Sequence, residues 1–392
     1  MRYWFTTMLC VVAAGTLVAA QGGGQAPAQV AWMEMARTPP MGWNSWNKFG
    51  CNVSDTLIRE IADAMVTTGM KDAGYQYIVI DDCWQVSRDA DGRIVPDAKR
   101  FAAGIKALAD YVHAKGLKFG LYSDAGAKTC EGRPGSNGYE TIDAQQYAAW
   151  GVDYLKYDWC ANEGVDPKIA YTTMRNALRA TGRPIVFSMC EWGSNKPWEW
   201  ARGVGHLWRT TGDIRDSWAS WTRLLDQQVE LYKYAGPGGW NDPDMLEVGN
   251  GGMSTAEYRA HFTLWSMLAA PLIAGNDIRS MTPEIRGILT NKDVIAVNQD
   301  PLGKQARKIR DDGDFEVWAK PLQGGDWAVA LLNRGREPHE VGVAWLELGM
   351  SANAAPVVRD LWTRQEYSAV KSVFAPTVPS HDVALLRVTP AK

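Results

Sequence analysis

Between about residues 37 and 304 one pattern recurs: a short apolar run ends in polar or acidic residues, and an amphipathic stretch follows. The eight runs are Met41–Trp46, Tyr75–Asp82, Lys118–Asp124, Asp153–Trp159, Ile185–Glu191, His206–Asp213, Gly238–Met245 and Pro271–Asn276. Their Val, Ile, Leu and aromatic content suits strands buried on both faces. The stretches between them read as helices. Ser54 is a candidate N-cap before Ile58, Ile61, Ala62 and Met65, which share one helical face. Ile105, Leu108, Ala109 and Val112 repeat that spacing, and Gly116 suits the position just past a helix end. Trp218 to Tyr234 and Thr255 to Leu268 read the same way. Eight such units predict a (β/α)8 TIM barrel over residues 37–304. The alternative, a doubly wound sheet, wants a glycine-rich first turn, and no GxGxxG follows any run.

After Gly303 the period changes. Phe315–Ala319, Trp327–Leu332, Glu340–Trp345, Val357–Leu361 and Val383–Val388 alternate apolar and polar residues. Asp312-Gly313, Gly324-Gly325 and Arg334-Gly335 separate them as turns. Residues 305–392 are therefore expected to form a small antiparallel β domain, a β-sandwich, with no chemistry of its own.

The start of the chain reads as a targeting segment over residues 1–20. Arg2 is followed by the apolar run Met8 to Ala20, and Val18-Ala19-Ala20 resembles a cleavage site. Residues 21–36 read as a flexible leader. The expected mature protein is secreted or periplasmic, with no membrane partner once the signal is removed. Cys10 would leave with the signal, and the remaining five cysteines are an odd number, so at least one thiol stays free. No CxxC occurs, which argues against zinc ribbons and thioredoxin-type chemistry.

A formal charge of −3 gives no basis for a nucleic-acid partner. The five histidines form no HxH or HExxH pattern, so no metal or cofactor is expected. In a parallel barrel the active site gathers at the C-terminal ends of the strands. The polar residues there are Trp43 and Asn44, Asp81 and Asp82, Tyr122 and Asp124, Lys156 and Asp158, Cys190 to Trp192, Arg209 and Asp213, and Asp242 and Asp244. Carboxylates, indoles and one or two cations suit a neutral polyhydroxylated ligand. The 19 tryptophans fit a sugar-stacking site as well as a large aromatic core.

Strand alternation puts Lys156 and Asp158 on one side. A Lys⁺ beside a carboxylate is expected to lower its pKa, as a nucleophile needs, although a structural ion pair is the alternative. Asp213 could be a general acid and base, or a cap for a helix beginning near Asp216. Of the adjacent Asp81 and Asp82, one is expected to face the ligand and the other the barrel wall or a backbone turn.

The segments Met41–Trp46, Ile80–Trp84, Leu121–Asp124, Asp153–Asp158, Cys190–Trp192, Trp208–Asp213, Gly238–Met245 and Asn298–Gly303 resemble glycoside hydrolase family 27, the α-galactosidase family. The resemblance runs through the whole barrel and into the second domain. It implies a retaining exo-glycosidase that removes terminal α-D-galactosyl residues by double displacement. Asp158 would be the nucleophile and Asp213 the acid/base, about 5–5.5 Å apart. Trp43, Asp81, Asp82, Tyr122, Lys156, Arg209, Asp244 and Met245 would line the sugar site. Asp81, Asp82 and Lys156 would bind the 4- and 6-hydroxyls, which favours galactose over arabinopyranose. Cys190, Glu191 and Trp192 would crowd the 2-position and exclude N-acetylgalactosamine.

By the same resemblance Cys51 pairs with Cys83 and Cys130 with Cys160. Gly205 stands where some relatives carry a partner for Cys190, so Cys190 would be a free thiol at the site wall, open to mercurials. Three other readings stand beside this one. They are another exo-glycosidase on the same scaffold, a non-catalytic sugar-binding protein on a decayed barrel, and a metal-dependent barrel hydrolase. The natural α-galactoside, a homodimer, and glycosylation at Asn52-Val53-Ser54 are left open.

Overall fold

The computed structural model describes residues 1–4, 32 and 34–391, so most of the signal and leader segments lie outside the described residues. Eight parallel strands follow one another along the chain. They are β1 (Met41–Asn44), β2 (Tyr77–Val79), β3 (Lys118–Asp124), β4 (Tyr154–Asp158), β5 (Val186–Met189), β6 (Leu207–Arg209), β7 (Trp240–Asp242) and β8 (Leu272–Ala274). They form one sheet in the order β8-β1-β2-β3-β4-β5-β6-β7. A parallel bridge between Leu246, just past β7, and Ala274 of β8 brings its two edges together. All eight expected strands are present. Their residues are buried almost throughout, because helices cover the outside while side chains fill the centre.

The helices include α1 (Asp55–Thr67), α2 (Ile105–Ala114), α3 (Glu140–Trp150), α4 (Pro167–Ala180), α5 (Trp218–Asp226), α6 (Thr255–Met267), α7 (Pro283–Leu289) and α8 (Lys292–Asn298). Ser54 caps α1 by accepting from the Leu57 N–H at 3.2 Å. Gly116 follows α2 at φ 68°, and its N–H donates to the His113 carbonyl. Two expectations need correction. The helix beginning at Trp218 ends at Asp226, and only a 3-10 turn at Leu231–Lys233 follows. Between β5 and β6 there is no long helix, only the 3-10 turn Pro197–Glu199. The loop Glu191–Gly205 carries the chain there instead, and Lys196 and Trp192 in it adopt positive φ.

The second unit is a six-stranded antiparallel sheet. Its strands are β9 (Arg307–Asp312), β10 (Phe315–Pro321), β11 (Trp327–Asn333), β12 (Val357–Asp360), β13 (Glu366–Tyr367) and β14 (Asp382–Thr389), in the order β9-β10-β11-β14-β12-β13. Two short ribbons, His339–Glu340 with Thr377–Val378 and Val343–Ala344 with Val373–Phe374, face it. Strand alternation splits the sheet between two cores. Val317, Val329, Leu331, Leu386 and Val388 pack with Trp345 in the sandwich interior. Trp318, Ala328, Ala330, Leu332 and Leu385 join the barrel's own core. The expected run Glu340–Trp345 is broken, because Trp345 opens a 3-10 turn instead of ending a strand.

Candidate active site

A cavity of about 530 Å³ opens at the C-terminal ends of the barrel strands. Asp81 and Asp82 reach it from β2, Tyr122 from β3, Lys156 and Asp158 from β4, and Arg209 and Asp213 from β6 and its loop. Trp192, Asp244, Met245 and Cys130 complete that part of the wall. Beyond Asp213 the wall continues through Ile214, Arg215 and Asp216, and it also includes Trp46, Asn47, Lys48, Glu247 and Asn250.

Both members of the Asp81–Asp82 pair face the cavity, which corrects the expectation that one would turn away. Alternation stops at the end of β2, and Cys83 at φ 78° makes a sharp turn there. The Asp81 carboxylate accepts from Asn44 Nδ2 at 2.7 Å and from Lys156 Nζ at 2.8 Å. Asp82 accepts from the N–H groups of Cys83 and Glu131 at 2.6 and 3.0 Å. Each carboxylate therefore has a fixed orientation before any ligand arrives.

Asp158 is almost fully buried, and its Oδ1 has no hydrogen-bond partner. Lys156 Nζ stands 3.9 Å from that oxygen. The pairing follows from strand geometry, since residues two apart share a face. The net effect on its pKa is opposite to expectation. Burial raises it, and Lys156 only partly offsets that. Asp124, the register partner of Asp158, is fully buried outside the cavity wall and accepts from the N–H groups of Gly126 and Cys160. Its own burial, with the Asp158 charge beside it, pushes its pKa up to about 8.

Asp213 is held differently. Its side chain is 70% exposed, and Arg209 donates to it at 3.0 Å. The same guanidinium pairs with Asp244 at 3.0 Å, and Asp244 in turn accepts from the Ile214 N–H at 2.9 Å. Partial burial works to raise the Asp213 pKa, but the charge and hydrogen bond of Arg209 outweigh it, and the carboxyl sits below its ordinary value. Asp213 does not cap α5. Ser217 occupies that position, without a side-chain cap bond.

Three expected site residues lie off the cavity wall. Trp43 is buried in the barrel, where its indole donates to the Asn276 carbonyl at 2.7 Å. Trp46, two residues past the end of β1, takes the place at the wall. Glu191 is buried and accepts from the Asn195 N–H and side-chain amide at 2.6 Å each. Cys190 is a free but buried thiol behind Lys156 and Arg209, and burial raises its pKa. It is thus shielded, where an accessible thiol was expected. Of Cys190, Glu191 and Trp192, only Trp192 reaches the cavity. The cluster of Asn47, Glu247 and Asn250 was missed. Glu247 accepts from both amides, and burial pushes its pKa up to about 7. No spacing in the sequence couples residues 200 positions apart.

Cys51 is bonded to Cys83 and Cys130 to Cys160, as the resemblance implied. The second bridge ties the loop after β3 to the end of the Asp158 strand. Among the described residues, two clusters have metal-ligand spacing: Cys51, Cys83 and Glu131, and Asp124, Cys130 and Cys160. In each, two of the three donors are disulfide sulfurs, which offer no thiolate.

The family profile described as "Alpha galactosidase A" matches residues 38–300, and that of the "Alpha galactosidase C-terminal beta sandwich domain" matches residues 312–388. "Alpha-galactosidase A" of Cellvibrio japonicus is 53% identical over 378 residues, covering 91% of this chain and 93% of that protein. The crystal structure of α-galactosidase I from Mortierella vinacea superposes with a TM-score of 0.88 at 40% identity, covering 90% of this chain and 97% of that one. An α-galactosidase from Saccharomyces cerevisiae, solved with raffinose, superposes with a TM-score of 0.88 at 31% identity, covering 92% and 99%.

Proposed function

The chain belongs to the α-galactosidase A family and is a glycoside hydrolase of terminal α-galactosides; we propose that it works with retention of configuration, through Asp158 as nucleophile and Asp213 as acid/base. The observation that carries this reading is the convergence of these two carboxylates, one from a strand end and one from the loop after another strand, on one cavity. In the first step the unpartnered Oδ1 of Asp158 attacks the anomeric carbon while Asp213 protonates the departing oxygen. The product is a β-galactosyl ester and a free leaving alcohol. In the second step the Asp213 carboxylate takes a proton from water. That water attacks the same carbon, the ester bond breaks, and α-galactose leaves.

The fixed carboxylates of Asp81 and Asp82, with Lys156 between Asp81 and Asp158, support recognition of the 4- and 6-hydroxyls of galactose. A wall built to bond a hydroxyl rejects sugars that leave it unpaired. Trp192 is the bulk that argues against a 2-acetamido group. The lining of the cavity also includes Ile214–Asp216, next to the acid in the chain, which supports a second sugar bound beside it. The yeast relative was solved with raffinose, and short galactosyl oligosaccharides are the class proposed here. The two disulfides support work in an oxidising compartment outside the cytoplasm. Among the described residues no helix is long and apolar enough to cross a membrane.

Proton NMR of the first-formed sugar tests the reading. Retention predicts α-galactose first, and β-galactose first would refute it. Aryl α-galactoside should be hydrolysed far faster than the matched β-L-arabinopyranoside, α-glucoside or α-N-acetylgalactosaminide.

A further inference from the structure

We propose that His381, in the β domain, is a positioning residue that aims Asp213 from outside the barrel; this rests on Asp213 being the acid/base. Asp213 is mostly exposed, and its direction depends on the loop Thr210–Ser217 that carries it. On the barrel side that loop is tied by Arg209 to the Thr211 carbonyl and by Asp244 to the Ile214 N–H. Its far end is tied by Asp216 and by Trp218, the first residue of α5.

The Trp218 tie touches the β domain directly, and the Asp216 tie reaches it through α6. The Tyr258 hydroxyl sits 2.9 Å from each oxygen of Asp216, and it accepts from the Gly251 N–H at 2.6 Å. Gly252 also donates to Asp216. A Cβ there would lie 2.2 Å from the Asp216 carbonyl, so only glycine permits this approach. Tyr258 lies in the first turn of α6. Its neighbour Glu257 closes that helix's capping box with Ser254. The other Glu257 oxygen pairs with His381 Nδ1 at 2.9 Å. The His381 ring also lies flat on Trp218, with centroids 4.3 Å apart and planes 4° from parallel. Asp382, next in the chain, pairs with Arg259 of α6. One turn of the β domain therefore holds the start of α5 and the start of α6 in register, and the far end of the acid loop is fixed to both. His381 itself adopts φ 52°, a conformation that non-glycine side chains rarely take, at the point where the chain enters β14.

A displaced acid penalises leaving groups that need a proton and spares those that do not. The test compares phenyl and dinitrophenyl α-galactosides on the full-length enzyme and on His381→Ala, Tyr258→Phe, Arg334→Ala and Asp213→Ala. His381→Ala and Tyr258→Phe should each lose about tenfold more kcat/KM on the phenyl than on the dinitrophenyl substrate. Arg334→Ala breaks a different contact between the units, to Asp226, and should leave the ratio of the two rates unchanged. Equal losses on both substrates for His381→Ala, or no loss, would overturn the proposal. So would a shifted ratio in Arg334→Ala at matched thermal stability. If Asp213→Ala itself failed to shift the ratio, the assignment of the acid would fall instead.

Discussion

The two carboxylates that meet in the cavity are built in opposite ways. Asp158 belongs to a strand of the closed sheet, is nearly fully buried, and is fixed by its own register and by Lys156. Asp213 sits on a loop, is mostly exposed, and is aimed by Arg209 and by contacts outside the barrel. A nucleophile must approach one carbon along one line, so a rigid wall serves it. An acid that becomes a base must meet first a leaving oxygen and then a water, and an exposed loop leaves space for both. Their pKa shifts also run against what the first step needs. Burial raises the Asp158 pKa, and Arg209 holds that of Asp213 down. A bound sugar would change this, by taking water from Asp213 and by offering hydroxyls to the carboxylates.

The sharpest way to break the contrast is to delete each group. Asp158→Ala should lose on the order of 10⁴-fold or more in kcat on every substrate, since no bond to the anomeric carbon can form. Asp213→Ala should lose about 10²–10⁴-fold on phenyl α-galactoside but far less on the dinitrophenyl compound. Equal losses across leaving groups would erase the distinction. A smaller effect separates the two environments by stability. The folded-state pKa of Asp158 is raised, so its protonated form is the one that favours folding. That contribution is fully present below the ordinary aspartate value of about 3.9 and is lost as pH rises through the folded-state pKa. Asp158→Asn should therefore raise the thermal midpoint at pH 7, and the gain should vanish below about pH 4. Asp213→Asn should give no such gain, because its pKa is shifted the other way. Least of all should depend on Cys190. Being buried, it should react with a thiol reagent only as fast as the protein opens, and saturating reagent should leave activity intact over minutes.

The same contrast explains what the sequence made legible. The strand that carries Asp158 reads directly, because an apolar run buried on both faces has few other folds open to it, and alternation then aligns Lys156 with Asp158. Asp81 and Asp82 were found, but their common orientation came only from the resemblance, since alternation points adjacent side chains apart and no residue type announces the positive φ at Cys83. Trp43, at the end of a strand run, was named for the wall and Trp46 was not. β1 ends at Asn44 and a helical turn begins at Trp46, which brings that second indole to the cavity. The acid loop was least legible. Asp213 was recognised through a motif, while its supports Tyr258, Glu257 and His381 come from elements far apart in the chain.

Azide tests the division of labour most directly, because it replaces each carboxylate in turn and reports the face it attacks. With dinitrophenyl α-galactoside, Asp158→Ala in azide should yield β-galactosyl azide, the anion standing in for the missing nucleophile. Asp213→Ala should yield α-galactosyl azide, formed from the covalent ester. The same anomer from both variants, or the two products exchanged, would contradict the account.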